Sequence, residues 1–263
     1  MSGVFGNNIK ISIFGESHGT AIGINIDGLP SGFEIDMDKV LFEMGRRAPG
    51  KNQLSTSRKE ADLPEILSGY FEGRTTGTPL CAIIRNADTR SKDYSKTKDF
   101  MRPGHADYSG FERYSGFNDY RGGGHFSGRI TAPLVFAGAI CKQILEDRGI
   151  FIGAHISSIK NIEDDRFNTT NISIEELLSI RNKELPLIND SLEEKIKHTI
   201  MQAKYDGNSV GGTIECAVVG INPGVGNPFF DSVESTLAHL MFSVPAVKGI
   251  EFGKGFEMTK LFG

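Results

Sequence analysis

The fold turns on residues 119–148, DYRGGGHFSGRITAPLVFAGAICKQILEDR. From about Ile130 to Asp147 the stretch is apolar nearly all round until its final turn, which predicts a helix at the centre of the molecule. Pro133 falls in the first turn, where proline is tolerated, and Gly149 ends the helix. Ahead of the helix stand Gly122, Gly123 and Gly124, with Arg121 before them and Arg129 after. Ordering three glycines costs more backbone entropy than ordering any other run. A chain accepts that cost where it needs positive φ or a close approach. Ser127 is placed to cap the helix start, and a helix N-terminus between two arginines reads as an anion-binding turn. A tight turn without a ligand would read the same way. Neither a phosphate-loop pattern nor a dinucleotide fingerprint is present, and the serine of Gly124-His-Phe-Ser-Gly128 sits one position too late for a nucleophile elbow.

Upstream, Lys10 to Phe14 and Ala21 to Ile26 read as strands separated by Gly15-Glu-Ser-His-Gly19. Asp36 opens a helix to about Arg47, with Val40, Leu41 and Met44 on one face. Ile66 to Phe71 and Pro79 to Ile84 read as paired strands. Residues 86–128 show little periodicity, yet Tyr94, Phe100, Tyr108, Phe111, Tyr114, Phe117 and Tyr120 argue against disorder. Downstream, Ile150 to Ile159 is a predicted strand. Ser173 and Asp190 open capping-box helices, the second running to about Tyr205. Gly212 to Ile221 is a strand, Asp231 caps a helix over about Ser232 to Phe242, and Val247 to Phe252 is a last strand. Gly15-Glu-Ser-His-Gly-Thr-Ala-Ile is echoed by Gly207-Asn-Ser-Val-Gly-Gly-Thr-Ile, which raises a possible internal duplication. Only the first copy carries a histidine, His18, where the second has Val210.

A chain of 263 residues with 38% hydrophobic content suits one soluble α+β domain over residues 1–263. No apolar run is long enough to span a membrane, and the N-terminus has no signal-peptide pattern. Cys81, Cys141 and Cys216 fit neither a disulfide framework nor zinc spacing; core packing in a reducing cytoplasm is their expected role. A net charge of −4 argues against nucleic acid as partner. Ten of the thirteen arginines nevertheless lie between Arg46 and Arg129. Arginine's planar fork suits carboxylate and phosphate, so a small polyanion is the expected ligand. His18 and His105, in the Gly-framed turns Gly15–Gly19 and Arg102–Asp107, are candidates to give a proton near neutral pH. No histidine has a partner at metal-ligand spacing, so no metal is expected. Residues and pattern alone do not name a substrate.

Gly15-Glu-Ser-His-Gly19, Thr75-Thr-Gly77, Arg102-Pro-Gly-His-Ala-Asp107, Tyr120-Arg-Gly-Gly-Gly124 and Ala246-Val-Lys-Gly-Ile-Glu251 stand in the order and spacing of the chorismate synthase family. The chain resembles that family from Phe5 to Phe256. The resemblance implies a β-α-β sandwich, with helices packed between antiparallel sheets, assembled as a homotetramer. It implies a lyase of aromatic amino acid biosynthesis. The substrate is the phosphate ester 5-enolpyruvylshikimate 3-phosphate, converted to chorismate and phosphate by 1,4-anti elimination. Reduced FMN is required, and NADPH only where a flavin reductase activity is also present. Carried over by position, His18 would protonate the departing phosphate and His105 the reduced flavin. Arg47 matches an anion-binding arginine, to which Arg58 and Arg129 are added as further anion contacts. His125, Phe126, Ser127, Pro245 and Ala246 match flavin contacts.

The sequence departs from the family in three places within its span. His125-Phe126-Ser127 stands where Arg-Ser-Ser is common, Gln53 where an arginine is usual, and Pro245 where Asn or Gln is commoner. Family members also run on past the position of Gly263, through a Gly-rich flavin-binding segment and a Gly-Arg-His-Asp-Pro motif. A chain ending at Gly263 is truncated on that comparison and is expected to bind FMN poorly and turn over little. The alternatives are an incomplete or assembly subunit that binds anionic substrate without turnover, and a nucleotide- or nucleic-acid-binding module using the same arginines, against which the acidic net charge counts.

Overall fold

The computed structural model describes residues 3–50, 54, 58, 60–87 and 100–263. Gln53 and Tyr94 lie outside the described residues. The first sheet has five antiparallel strands in the order β1-β2-β3-β7-β4: β1 (Val4–Phe5), β2 (Lys10–Gly15), β3 (Ala21–Asp27), β7 (Leu80–Arg85) and β4 (Pro64–Ser68). Between β4 and β7 the chain forms a small hairpin, β5 (Tyr70–Phe71) with β6 (Arg74–Thr75). The expected strand Ile66 to Phe71 is therefore two strands, broken at Gly69, whose φ of 76° places it in the left-handed region. Period-two alternation sets the inner face: Ile22, Ile24 and Ile26 on β3 lie opposite Ile84, Ala82 and Leu80 on β7, and all six are buried.

α1 (Met37–Arg47) and α3 (Thr131–Glu146) cover that face and pack on each other. Asp36 caps α1 by accepting from the backbone N–H groups of Asp38 and Lys39. Val40 and Met44, one turn apart, point into the core; Leu41, rotated by about 100° from Val40, is exposed instead of sharing their face. α3 touches β3 and β7 of the first sheet and β8 (Phe151–Ile159) of the second, so it is the central helix that its composition predicts. Its buried Gln143 accepts from the Asp36 N–H at 2.9 Å and donates to the Asp36 carbonyl at 3.1 Å, which ties the start of α1 to the last turn of α3.

The second sheet runs β10 (Gly212–Val219), β8, β9 (Ile162–Glu163), again antiparallel. α4 (Ile174–Arg181) packs on β8, with Leu177 filling the space over Gly153. Glu43 of α1 meets Lys142 of α3 at 2.7 Å and Arg181 of α4 at 2.8 Å, so one carboxylate joins three helices. α5 (Glu193–Tyr205) buries Ile196 against Ile162 and Leu187. α6 (Val233–Ser243) has no buried residue.

Four expectations need correction. The helix opening at Asp190 is a short 3-10 turn capped by Asn189, and α5 proper starts at Glu193. Ser232, not Asp231, caps α6, because its hydroxyl accepts from the Ser235 N–H. Val247 to Phe252 is not a strand: no described strand lies beside it to complete its hydrogen-bond ladder. Cys81 and Cys141 are half-buried, but Cys216 is on the exposed face of β10 and packs in no core. Residues 100–128, read as loop, hold α2 (Asp107–Arg113) and 3-10 turns at Arg121–Phe126 and Gly128–Ile130. The repeated glycine turns lead into β3 and β10, each followed by a helix, α1 and α6.

Candidate active site

The glycine run is a backbone surface against which a histidine lies. Gly122, Gly123 and Gly124 have φ of 59°, 82° and 53°, conformations that a side chain would strain. A Cβ on Gly122 would fall inside the ring of His18, and one on Gly124 would strike the Asp119 carbonyl. The Ser17 N–H donates to the Gly124 carbonyl at 3.1 Å, so the turn after β2 and the glycine run are held together. Ser17 and His18 are both buried. The run is anchored at its start by Arg121, whose Nε and Nη2 donate to the two carboxylate oxygens of Asp119 at 2.8 and 2.7 Å, while its backbone N–H donates to the same group at 3.0 Å. The Arg121 fork holds the Asp119 carboxyl below the usual carboxylate range. Ser127 caps the 3-10 turn Gly128–Ile130 that leads into α3, accepting from the Arg129 N–H.

Arg47, Arg58 and Arg129 come together around Asp62 and Glu60, and Arg58 reaches Ser17 beside His18 in the chain. Arg129 is buried and pairs with Asp62, which also accepts from Arg47 at 2.5 Å. Arg129 Nε donates to Asn86 at 3.0 Å, and the Asn86 amide donates to the carbonyls of Glu16 and Gly19 at 3.0 and 2.9 Å. Arg58 forks onto Glu60 at 2.7 and 3.0 Å and donates to the Ser17 hydroxyl at 2.8 Å and the Ser17 carbonyl at 3.0 Å. The three arginines are thus compensated by Asp62 and Glu60, and two of them brace the loop carrying His18. Buried charges of this kind persist only when each keeps a partner.

On the far side of the glycine run lies a cleft of about 1090 Å³. Gly122 and Gly123 line it, as do His105, His125, Phe126, Ser127, Pro245 and Ala246. His18, Arg47, Arg58 and Arg129 are not among the lining residues, but two contacts join them to the cleft: Gly122, which lines it, lies against His18, and Arg47 Nη2 donates to the carbonyl of Gly128, also in its lining, at 3.4 Å. His105 rides on the turn before α2, where Arg102 forks onto Asp107 at 2.8 and 2.9 Å. Arg102 holds the Asp107 carboxyl low as well. His125 Nδ1 lies 2.9 Å from the Gly15 carbonyl, and the Phe126 ring lies 6.2 Å from that of Tyr114. Ala246, at φ 70°, turns the chain after α6 so that Pro245, Ala246 and Lys248 face the cleft.

Sequence reasoning missed Asp62, Glu60 and Asn86: Glu60 pairs locally with Arg58, two residues before it, whereas Asp62 and Asn86 meet Arg129 only through the fold. His239, on α6, also lines the cleft, with its ring edge-on to Phe5 at 5.0 Å. Arg113 and Lys248 add positive charge to the same walls, and only their place in the folded chain could have revealed it. Among the described residues no cluster of His, Cys, Asp or Glu could hold a metal ion.

The α+β fold thus brings a cationic, histidine-lined cleft up to a buried histidine, an arrangement suited to an enzyme for a small anionic molecule. Residues 9–263 match the family model described as chorismate synthase, and the chain belongs to that family. It is 42% identical to the chorismate synthase of Lancefieldella parvula, over 100% of this chain and 72% of the relative. To that of Thermococcus kodakarensis it is 43% identical, over 98% of this chain and 70% of the relative. A crystal structure of chorismate synthase superposes with a TM-score of 0.78 at 30% identity, covering 98% of this chain and 72% of that one.

Proposed function

We propose that this chain is a lyase that converts 5-enolpyruvylshikimate 3-phosphate to chorismate and phosphate by 1,4-anti elimination, with His18 and His105 as its proton-bearing groups. The observation that carries this reading is the position of His18. It is buried between a side-chain-free backbone wall and a loop braced by Arg58 and, through Asn86, by Arg129. A phosphate leaves more readily as it gains a proton and nearby positive charge. His18 supplies the proton, and Arg47, Arg58 and Arg129 keep the surroundings from becoming net negative.

The cleft suits a reduced flavin, which combines a flat apolar ring system with an anionic tail. Ile11, Ile13, Leu134 and Phe126 provide apolar wall, while Arg113 and Lys248 provide positive charge. His125, Phe126, Ser127, Pro245 and Ala246 would hold reduced FMN there. When bound, that cofactor supplies electron density for an elimination with no net redox change. His105, on the same wall, keeps a proton beside it. Homotetrameric assembly and a cytoplasmic location complete the reading. Exposed apolar side chains of α6 and the following stretch support assembly. Three free cysteines support a reducing compartment, which cell fractionation reads directly.

The test is anaerobic chorismate formation from 5-enolpyruvylshikimate 3-phosphate with chemically reduced FMN. His18→Ala and His105→Ala are each expected to lower the rate by 10²–10⁴-fold, roughly the worth of a positioned general acid. A rate unchanged in both variants removes the proposed roles.

A further inference from the structure

The Asp119–Arg121 pair is used by nothing in the reading above, although it sits at the root of the glycine run. Its geometry has three parts. The Arg121 fork closes on Asp119 with two side-chain hydrogen bonds, at 2.7 and 2.8 Å, and one from the backbone, at 3.0 Å. The Asp119 carbonyl lies so close under Gly124 that no side chain fits between them. Gly124 accepts from Ser17, and Gly122 lies so close to the His18 ring that a Cβ there would clash with its Cε1 and Nδ1. The pair therefore fixes the surface on which the imidazole rests.

We propose that Asp119 and Arg121 are positioning residues for His18, setting where its ring sits and biasing, through their opposed charges, how firmly that ring holds a proton. This rests on the reading of His18 as a proton donor. His18 is itself one of the charges acting on the Asp119 carboxyl, though a smaller one than Arg121. Among the described residues, the other charged or titratable groups around the His18 turn include Glu16 within it, Arg58 on Ser17, Glu60 behind Arg58, His125 on the Gly15 carbonyl, and Arg102, whose guanidinium lies beside Gly123. Of the opposed pair, Asp119 favours the imidazolium and Arg121 opposes it. Removing either partner alone leaves the other uncompensated beside the ring.

The experiment is nitrogen-detected NMR of the histidine side chains in the whole chain across pH. His18→Gln assigns the resonance, and His105, beside the Arg102–Asp107 pair, serves as internal reference. Asp119→Asn is expected to lower the His18 midpoint and Arg121→Gln to raise it, each by about 0.5–1 pH unit, as for one charge gained or lost a few ångströms away. Arg121→Lys keeps the charge but loses the fork; it should leave the midpoint in place and alter the His18 chemical shifts. His105 should titrate unchanged throughout. Midpoints that stay put in folded Asp119→Asn and Arg121→Gln, or that move in the same direction in both, overturn the proposal. Should either of those variants fail to fold, the other and Arg121→Lys still decide it. Chorismate formation is not the readout, so a failure here is separate from a failure of His18 as acid, which the His18→Ala assay reports.

Discussion

Asp62 shows how much can depend on a residue that carries no motif. Its side chain is fully buried at a φ of 51°, and it accepts from both Arg47 and Arg129. Asp62→Asn keeps the shape but removes the charge, leaving two guanidinium groups with one carboxylate fewer. The expected cost is ~3–5 kcal/mol of folding stability, measured by urea unfolding; a loss under 1 kcal/mol would show that the layer does not depend on this pair. Sequence singled out His18 and His105 as candidates because glycine-framed histidines are chemically legible where they stand. Asp62 was illegible for a physical reason: its partner Arg129 is 67 residues away, and no local spacing encodes that meeting. The arginine cluster was visible as a cluster. That it faces its own carboxylates was not, because a guanidinium suits a ligand phosphate and an internal aspartate equally well.

Among elements, the ones that sequence located well bury a continuous face. α3 was identified from its all-round apolar character, and β3 from its alternating isoleucines. The poorly located ones were ends. At α6, Asp231 and Ser232 are adjacent and both are good caps; only the backbone direction entering the helix makes Ser232 the acceptor for the Ser235 N–H. Ser232→Ala is expected to cost about 1 kcal/mol and Asp231→Ala much less, compared by thermal melts of the two variants. Equal losses would mean that α6 starts a residue earlier. The stretch Val247 to Phe252 failed as a strand for a related reason, since alternation supplies a face but not the neighbour that a ladder requires.

Over the whole molecule, apolar exposure is uneven. The first sheet, α1 and α3 enclose a continuous core, although Leu63, Leu67 and Phe71 at its β4 edge and Phe100 and Phe117 beyond it are more than half exposed. From β10 onward Ile214, Phe229, Phe230, Phe242, Phe256 and Phe262 are exposed to the same degree, in a stretch that adds no buried residue to the core. Surfaces of this kind associate, and sedimentation velocity is expected to show self-association that strengthens with concentration and weakens with Phe229→Ser and Phe230→Ser together. A strictly monomeric chain at every concentration would count against assembly through this end.

The glycine run presents bare backbone to the cleft at Gly122 and Gly123, and at Gly122 that backbone also meets a neighbour into whose space any added side chain would fall. At Gly122 that neighbour is the His18 ring. The backbone that lines the cleft at Gly122 is therefore the same backbone against which His18 rests. On the proposed reading of the two, a change at this position alters the cleft and the seat of His18 together.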